Sequence, residues 1–318
     1  MRSFAQDDTH ATSRPRHALN CFPMIRRKTF RLKLHSRTLV LGERTLIMGV
    51  LNVTSDSFSD GGNFLDPARA IEHAVVMEAA GADLLDIGGE STRPGSEEVQ
   101  ASEELDRILP VLEALRGRLT IPISVDTRRA AVAELALHAG AEIINDVSGL
   151  RNDPRIADVA ARQRVPLILM HMRGEPRTMQ KSCFARDVLR DVTQGLRESV
   201  SIARKAGIAK SQISLDPGIG FGKSFAQNYE LLEKLPQLAK LGYPLLVGTS
   251  RKGFLGATLA RDGKPAPPED RTWGTAATVT ASILGGAHIV RVHDVAEMVQ
   301  VARVADCLAN PRLRRALR

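Results

Sequence analysis

Eight short apolar runs, each followed by an amphipathic stretch, predict a TIM-type (β/α)8 barrel preceded by a small β-hairpin. The runs are Leu46–Leu51, Leu84–Ile87, Ile121–Val125, Ile143–Asn145, Leu167–Met170, Ile213–Leu215, Leu245–Val247 and Ile289–Val292. They recur roughly every 35 residues, room for one strand, one helix and two turns. Their near-continuous apolar character is that of parallel strands covered on both faces rather than of strands with one wet side. Polar and charged residues gather directly after each run, the end where barrel enzymes carry their sites.

The remaining elements follow in order. Residues 29–34 alternate polar and apolar, Thr38–Leu41 is a short, mostly apolar run, and His35-Ser36-Arg37 connects them as a hairpin. Helix starts are marked at Asp66-Pro67 and Asp153-Pro154, a capping residue before a proline at the first helical position. Helix ends are marked at Gly81-Ala82-Asp83, Gly140-Ala141-Glu142 and Gly286-Ala287-His288. The chain is therefore read as a basic, disordered extension over 1–27 and a single barrel domain over 28–318.

Composition sets the class. Apolar residues make up 43% and charged residues 25% of 318, the balance of a water-soluble protein with a substantial core. No stretch approaches the roughly 18 apolar residues of a membrane helix. The net charge of +8 is a matter of the ends. Residues 1–44 hold ten Lys/Arg against three Asp/Glu, 310–318 hold four Arg, and 45–309 hold 30 basic against 33 acidic residues. The barrel is thus slightly acidic, which argues against a nucleic-acid surface. Cys21, Cys183 and Cys307 form neither a disulfide framework nor a zinc motif, so free thiols in a cytoplasmic protein are expected. The first 24 residues lack the apolar core of a secretory signal, and Met24 is a second candidate start.

Single residues at the strand ends are ambiguous. Asp126 reads equally as a helix cap, His293 alone is more often structural, and Asn52 can simply turn the chain. Asp216-Pro-Gly-Ile-Gly-Phe-Gly-Lys misses the nucleotide phosphate-loop spacing, because Pro217 stands where the first glycine belongs. A tight glycine turn beside a ligand fits it better. Their convergence on one end of the barrel is what favours a site.

The segments M-G-V-L-N-V-T-S-D-S-F-S-D-G-G (48–62), D-I-G-G-E-S-T-R-P-G-S (86–96), D-P-G-I-G-F-G-K (216–223), S-R-K (250–252) and R-V-H-D-V (291–295) resemble the signatures of bacterial dihydropteroate synthases. The resemblance runs from residue 45 to about 308. It implies a synthase of folate biosynthesis that joins a pterin methyl pyrophosphate to p-aminobenzoate. It also implies a pterin pocket of Asp126, Asn145, Met170, Asp216 and Lys252. The pyrophosphate and p-aminobenzoate pocket would use Thr92, Arg93, Pro94, Phe221, Lys223, Ser250, Arg291 and His293. Catalytic work would fall to Lys252, Arg291, His293 and Asp126, with Mg2+ held partly by Asn52. The partners implied are these small molecules and a second copy of the chain, with no nucleic acid and no membrane. The loops at 53–64 and 88–97 would close over the site, and the N–H groups after Lys252 would receive the p-aminobenzoate carboxylate. Ser55 and Gly253 depart from the family's common proline and serine. Two other readings share the pterin pocket: a methyltetrahydrofolate-type methyltransferase domain, which has no use for S-R-K and R-V-H as a pyrophosphate pair, and a silent pterin-binding homologue.

Overall fold

The computed structural model describes residues 27–54, 67–91, 98–174, 179 and 185–315. Residues 1–26 of the basic extension, most of the loops at 53–64 and 88–97, and the departure at Ser55 lie outside the described residues.

β1 (Phe30–Lys33) and β2 (Thr38–Leu41) pair antiparallel as the expected hairpin. The barrel strands are β3 (Leu46–Asn52), β4 (Leu84–Gly88), β5 (Ile123–Asp126), β6 (Ile143–Asp146), β7 (Leu167–Met170), β8 (Ile213–Asp216), β9 (Leu246–Val247) and β10 (Ile289–Val292). They form one parallel sheet in the order β8-β7-β6-β5-β4-β3-β10-β9. A single bridge, Leu215 to Leu245, joins the two outer strands, with the Leu215 N–H donating to the Pro244 carbonyl at 2.9 Å. β5 begins two residues later than its apolar run, because Pro122 has no N–H to give the ladder.

The helices are α1 (Pro67–Ala79), α2 (Ala101–Leu115), α3 (Ala130–His138), α4 (Arg155–Gln163), α5 (Val188–Lys205), α6 (Phe225–Glu233), α7 (Leu235–Ala239), α8 (Gly253–Thr258), α9 (Thr272–Leu284), α10 (Val295–Ala309) and α11 (Pro311–Arg315). α1 starts at Pro67, as its sequence signal requires. Asp153 serves two helices, accepting from Ala130 N of α3 at 2.9 Å and from Arg155 N of α4 at 3.2 Å. Gly81, Gly140 and Gly286 each take positive φ where a helix stops.

Alternation along the strands sorts side chains into two cores. Ile47, Leu51, Leu85, Ile87, Val125, Ile144 and Leu169 pack outward against the helices. Met48, Leu84, Ile143, Ile168, Leu246 and Ile289 point inward and meet Leu32, Leu34 and Leu41 of the hairpin. The hairpin therefore plugs the amino end of the barrel, and polar inward positions begin one layer above it.

Arg27, the last residue of the expected arm, is packed rather than free. Its guanidinium pairs with Asp306 of α10 and donates to Thr45 Oγ1 at 2.6 Å and to the Ala287 carbonyl at 3.0 Å. Asp306 also accepts from Thr45 N and Oγ1, each at 2.7 Å. Removing one partner of such a pair leaves a buried charge uncompensated. Asp306→Ala is expected to lower unfolding free energy by about 3–5 kcal/mol in urea denaturation, and an effect under about 1 kcal/mol would show that the pair is not holding the chain there.

Candidate active site

The strand register brings distant residues to one height. Asn52 pairs with Gly88, Gly88 with Asp126, and Asp126 with Asn145 across β3, β4, β5 and β6. Gly88 keeps the row open, since a Cβ there would lie 3.3 Å from that of Asp126. Above this row is a cavity of about 460 Å3. Asn52, Asp126, Asn145, Met170, Asp216, Phe221, Lys223, Ser250, Lys252, Arg291 and His293 all line it. Thr92, Arg93 and Pro94 lie outside the described residues.

Arg291 of β10 reaches across the barrel. Its Nε donates to Asp86 at 2.6 Å and one terminal nitrogen donates to Asp126 at 2.8 Å. Burial opposes the charge on Arg291, but the carboxylates of Asp86 and Asp126 overcome it and raise its pKa. Asp126 caps no helix; burial pushes its carboxyl up, the Arg291 charge pulls it down, and Asp86, Glu104 and Glu90 push it up, the balance lying at about 8. Asp216 is likewise pushed up by burial, to about 6. Its Oδ1 accepts from Gly218 N at 2.7 Å, within its own turn.

That turn is built from glycines with positive φ. At Gly218 and Gly222 an added Cβ would sit 1.9 and 2.1 Å from the carbonyl oxygens of His171 and Arg173, so the β8 loop can touch the β7 loop only with glycine there. Lys223 fastens the same join. Its ammonium is fully buried and donates to the carbonyls of His171, Gly218 and Phe221 at 2.9–3.0 Å. Burial lowers its pKa to about 7. Three carbonyls occupy its three donors, so Lys223 shapes the wall and does not present a free cation. Phe221, held by this turn, packs with Val147, Met170, Met172 and Met179. The Lys252 ammonium stands 3.8 Å from the centre of the Phe221 ring.

The turn after β9 is held from several sides. Arg251 takes φ 58°, its N–H donates to Thr275 Oγ1 at 3.1 Å, and its carbonyl accepts from Arg271 at 2.8 Å. Its guanidinium pairs with Asp294. Ser250 Oγ accepts from His293 N at 3.1 Å and lies 3.0 Å from His293 Nδ1. A neutral ring accepting the Ser250 proton at Nδ1 carries its own proton on Nε2. Ser250 is thus a partner of His293.

Several contributors had no role assigned from the sequence. Asp86 and Glu90 fall within the 86–96 segment, but neither was singled out for the site. Glu90 is gripped by Arg128 at 2.9 and 3.0 Å and by Arg129 at 2.9 Å. Burial would raise the Glu90 carboxyl, but the two guanidiniums hold it below its usual value. Arg129 also donates to Val99 O and Glu104, so one side chain ties residues on both sides of 92–97. Among the described residues no cluster of three acidic, His or Cys groups suits a metal.

A parallel barrel closed at one end, with carboxylates, an amide and a lysine around a cavity, defines a class of barrel protein with a pocket for a polar small molecule. The family model described as "Pterin binding enzyme" matches residues 48–293. A dihydropteroate synthase of Synechocystis sp. is 51% identical over 267 residues, covering 84% of this chain and 91% of the relative. Among solved structures, a Yersinia pestis dihydropteroate synthase with a sulfonamide drug is 44% identical with a TM-score of 0.81, covering 88% and 98% of the two chains. A Xanthomonas albilineans dihydropteroate synthase with 4-aminobenzoic acid is 43% identical at the same TM-score and the same coverages. The chain belongs to the dihydropteroate synthases, transferases of folate biosynthesis.

The raised carboxyls set a pH dependence. Above its raised pKa each acid is the carboxylate that a ring N–H can donate to, and that acceptor is lost as pH falls through the same value. Pterin affinity by calorimetry is expected to rise from about pH 5.5 to about pH 8. Asp126→Asn should remove the upper part of that rise, and an identical profile in the variant would rule Asp126 out as its source.

Proposed function

We propose that this chain condenses 6-hydroxymethyl-7,8-dihydropterin pyrophosphate with p-aminobenzoate through the residues of the described cavity, at the carboxyl end of the barrel. The convergence of Asp126, Asn145, Asp216 and Lys252 on that cavity carries the reading. Carboxylates accept from the amino and ring N–H groups of a pterin, and an ammonium donates to its carbonyl. Such an edge rejects rings lacking the matching groups, because buried partners would be left unpaired.

The chemistry is substitution at the pterin methylene. The carbon–oxygen bond to pyrophosphate breaks, the ring stabilises the cation formed, and the aniline nitrogen forms the new carbon–nitrogen bond and gives up one proton to the departing pyrophosphate or to water. No protein nucleophile is needed. Arg291 and His293 would hold the pyrophosphate and stabilise its growing charge. Thr92, Arg93 and Pro94 would complete the p-aminobenzoate side.

Magnesium fits as a substrate-borne ion. Asn52 offers one neutral oxygen at the rim of the Asp126 row, a donor set suited to a cation that takes its other ligands from water and phosphate. When bound, the ion would neutralise pyrophosphate charge. We also infer a cytoplasmic homodimer. No helix among the described residues is long and apolar enough to cross a membrane. Val304 and Leu308, one turn apart on α10, are 65% and 50% exposed, the kind of stripe a second copy covers. Light scattering at the monomer mass would refute the dimer.

Two measurements test the site. Purified protein with both substrates should form 7,8-dihydropteroate, lose activity with chelator, and be inhibited by a sulfonamide. Lys252→Ala should lower kcat/KM for the pterin substrate by about 100-fold, and folded protein that binds pterin without forming product would favour the silent homologue. Gly253→Ser addresses the acceptor side. A Cβ at Gly253 meets nothing within 4 Å, so a hydroxyl can be added without strain. The variant's KM for p-aminobenzoate should fall by roughly two- to fivefold, one added hydrogen bond's effect; an unchanged KM would place the carboxylate elsewhere.

A further inference from the structure

Asp86 is an acid in the middle of a barrel strand, fully buried, and not itself among the residues that line the cavity. A charge so placed needs partners. Its Oδ2 has two, Arg291 Nε at 2.6 Å and Asn145 Nδ2 at 3.0 Å. Its Oδ1 has none, and neither has Ser124 Oγ on the strand beside it in register. All of its hydrogen bonding is therefore turned toward two residues that do line the cavity.

The consequence for Asn145 is directional. A side-chain amide has one accepting oxygen and a nitrogen with two N–H donors. With one N–H committed to Asp86, the amide is kept from flipping, and the Asn145 carbonyl oxygen is held on a fixed side. For Arg291 the consequence is a fixed plane, because Nε and one terminal nitrogen are bonded to carboxylates on two different strands, β4 and β5. We propose that Asp86 is a positioning residue for the pterin substrate, orienting Asn145 so that it accepts from the ring and holding Arg291 across the barrel. A ring donor is then matched where the Asn145 carbonyl is held, and an acceptor placed opposite that oxygen is rejected. The inference rests on the assignment of Asn145 and Arg291 to the substrate pocket.

Because both bonds converge on one oxygen, an amide can replace the carboxylate without losing either. That separates a positioning role from a purely electrostatic one. Calorimetry with 6-hydroxymethylpterin, with thermal melting as the folding control, would compare wild type, Asp86→Ala, Asp86→Asn, Asn145→Ala and the Asp86→Ala/Asn145→Ala double variant. Asp86→Ala should weaken binding roughly 10- to 100-fold. Asp86→Asn should restore most of it, and the double variant should bind no more than about threefold worse than Asn145→Ala. Unchanged binding in Asp86→Ala, no rescue in Asp86→Asn, or losses that multiply in the double variant would overturn the proposal. Unchanged binding in Asn145→Ala would instead sink the pocket assignment beneath it. Should Asp86→Ala fail to fold, wild-type protein gives the answer by NMR. The Asn145 side-chain N–H that faces Asp86 should stay protected from exchange and nearly unshifted when pterin binds, and transfer of that N–H from Asp86 to the ligand would refute the orientation.

Discussion

One guanidinium shared between two buried carboxylates organises the interior of this barrel. Arg291 alone would be an expensive charge to bury, and so would Asp86 and Asp126. Together they leave one surplus negative charge; burial is the main reason that Asp126 holds its proton so high, and the neighbouring carboxylates add to it against the pull of Arg291. A flat ring rich in N–H groups would bring donors to these acceptors.

The loops around the cavity are held from behind by similar means. Lys223 spends its ammonium on three backbone carbonyls and fastens the loop after β7 to that after β8. Arg129 joins Glu90, Val99 and Glu104, and Arg251 and Arg271 lock the turn that carries Lys252. Charged side chains in this protein thus serve two ends. Some face the cavity, and others hold the backbone that carries those that do.

Much of this was legible in the residues. Each apolar run marks a barrel strand because both faces of a parallel strand are buried, and hydropathy reports burial well. It reports hydrogen bonding poorly, which is why Ile121 and Pro122 read as strand and lie outside it. The convergence of Asp126, Asn145 and Asp216 was legible because each lies at or next to the end of a strand. The part played by Asp86 was not, since nothing local separates a mid-strand acid with a structural partner from one that steers a ligand. The Lys223 cage and the Ser250–His293 pair depend on which atoms face which, and sequence spacing carries no such information. The packed side chain of Arg27 was missed for a related reason: a run of basic residues reads as solvated until its buried carboxylate, Asp306, is brought in from the other end of the chain.

The hairpin at the amino end carries a further implication. Leu32, Leu34 and Leu41 stopper one end of the barrel, so among the described residues the interior is a vessel closed at its base. Were two ligands held one above the other in it, the lower could not leave past the upper, nor arrive once the rim was filled. The order of entry, and the withdrawal of a joined product as one piece, would then be imposed by the shape of the container before any difference in affinity acts.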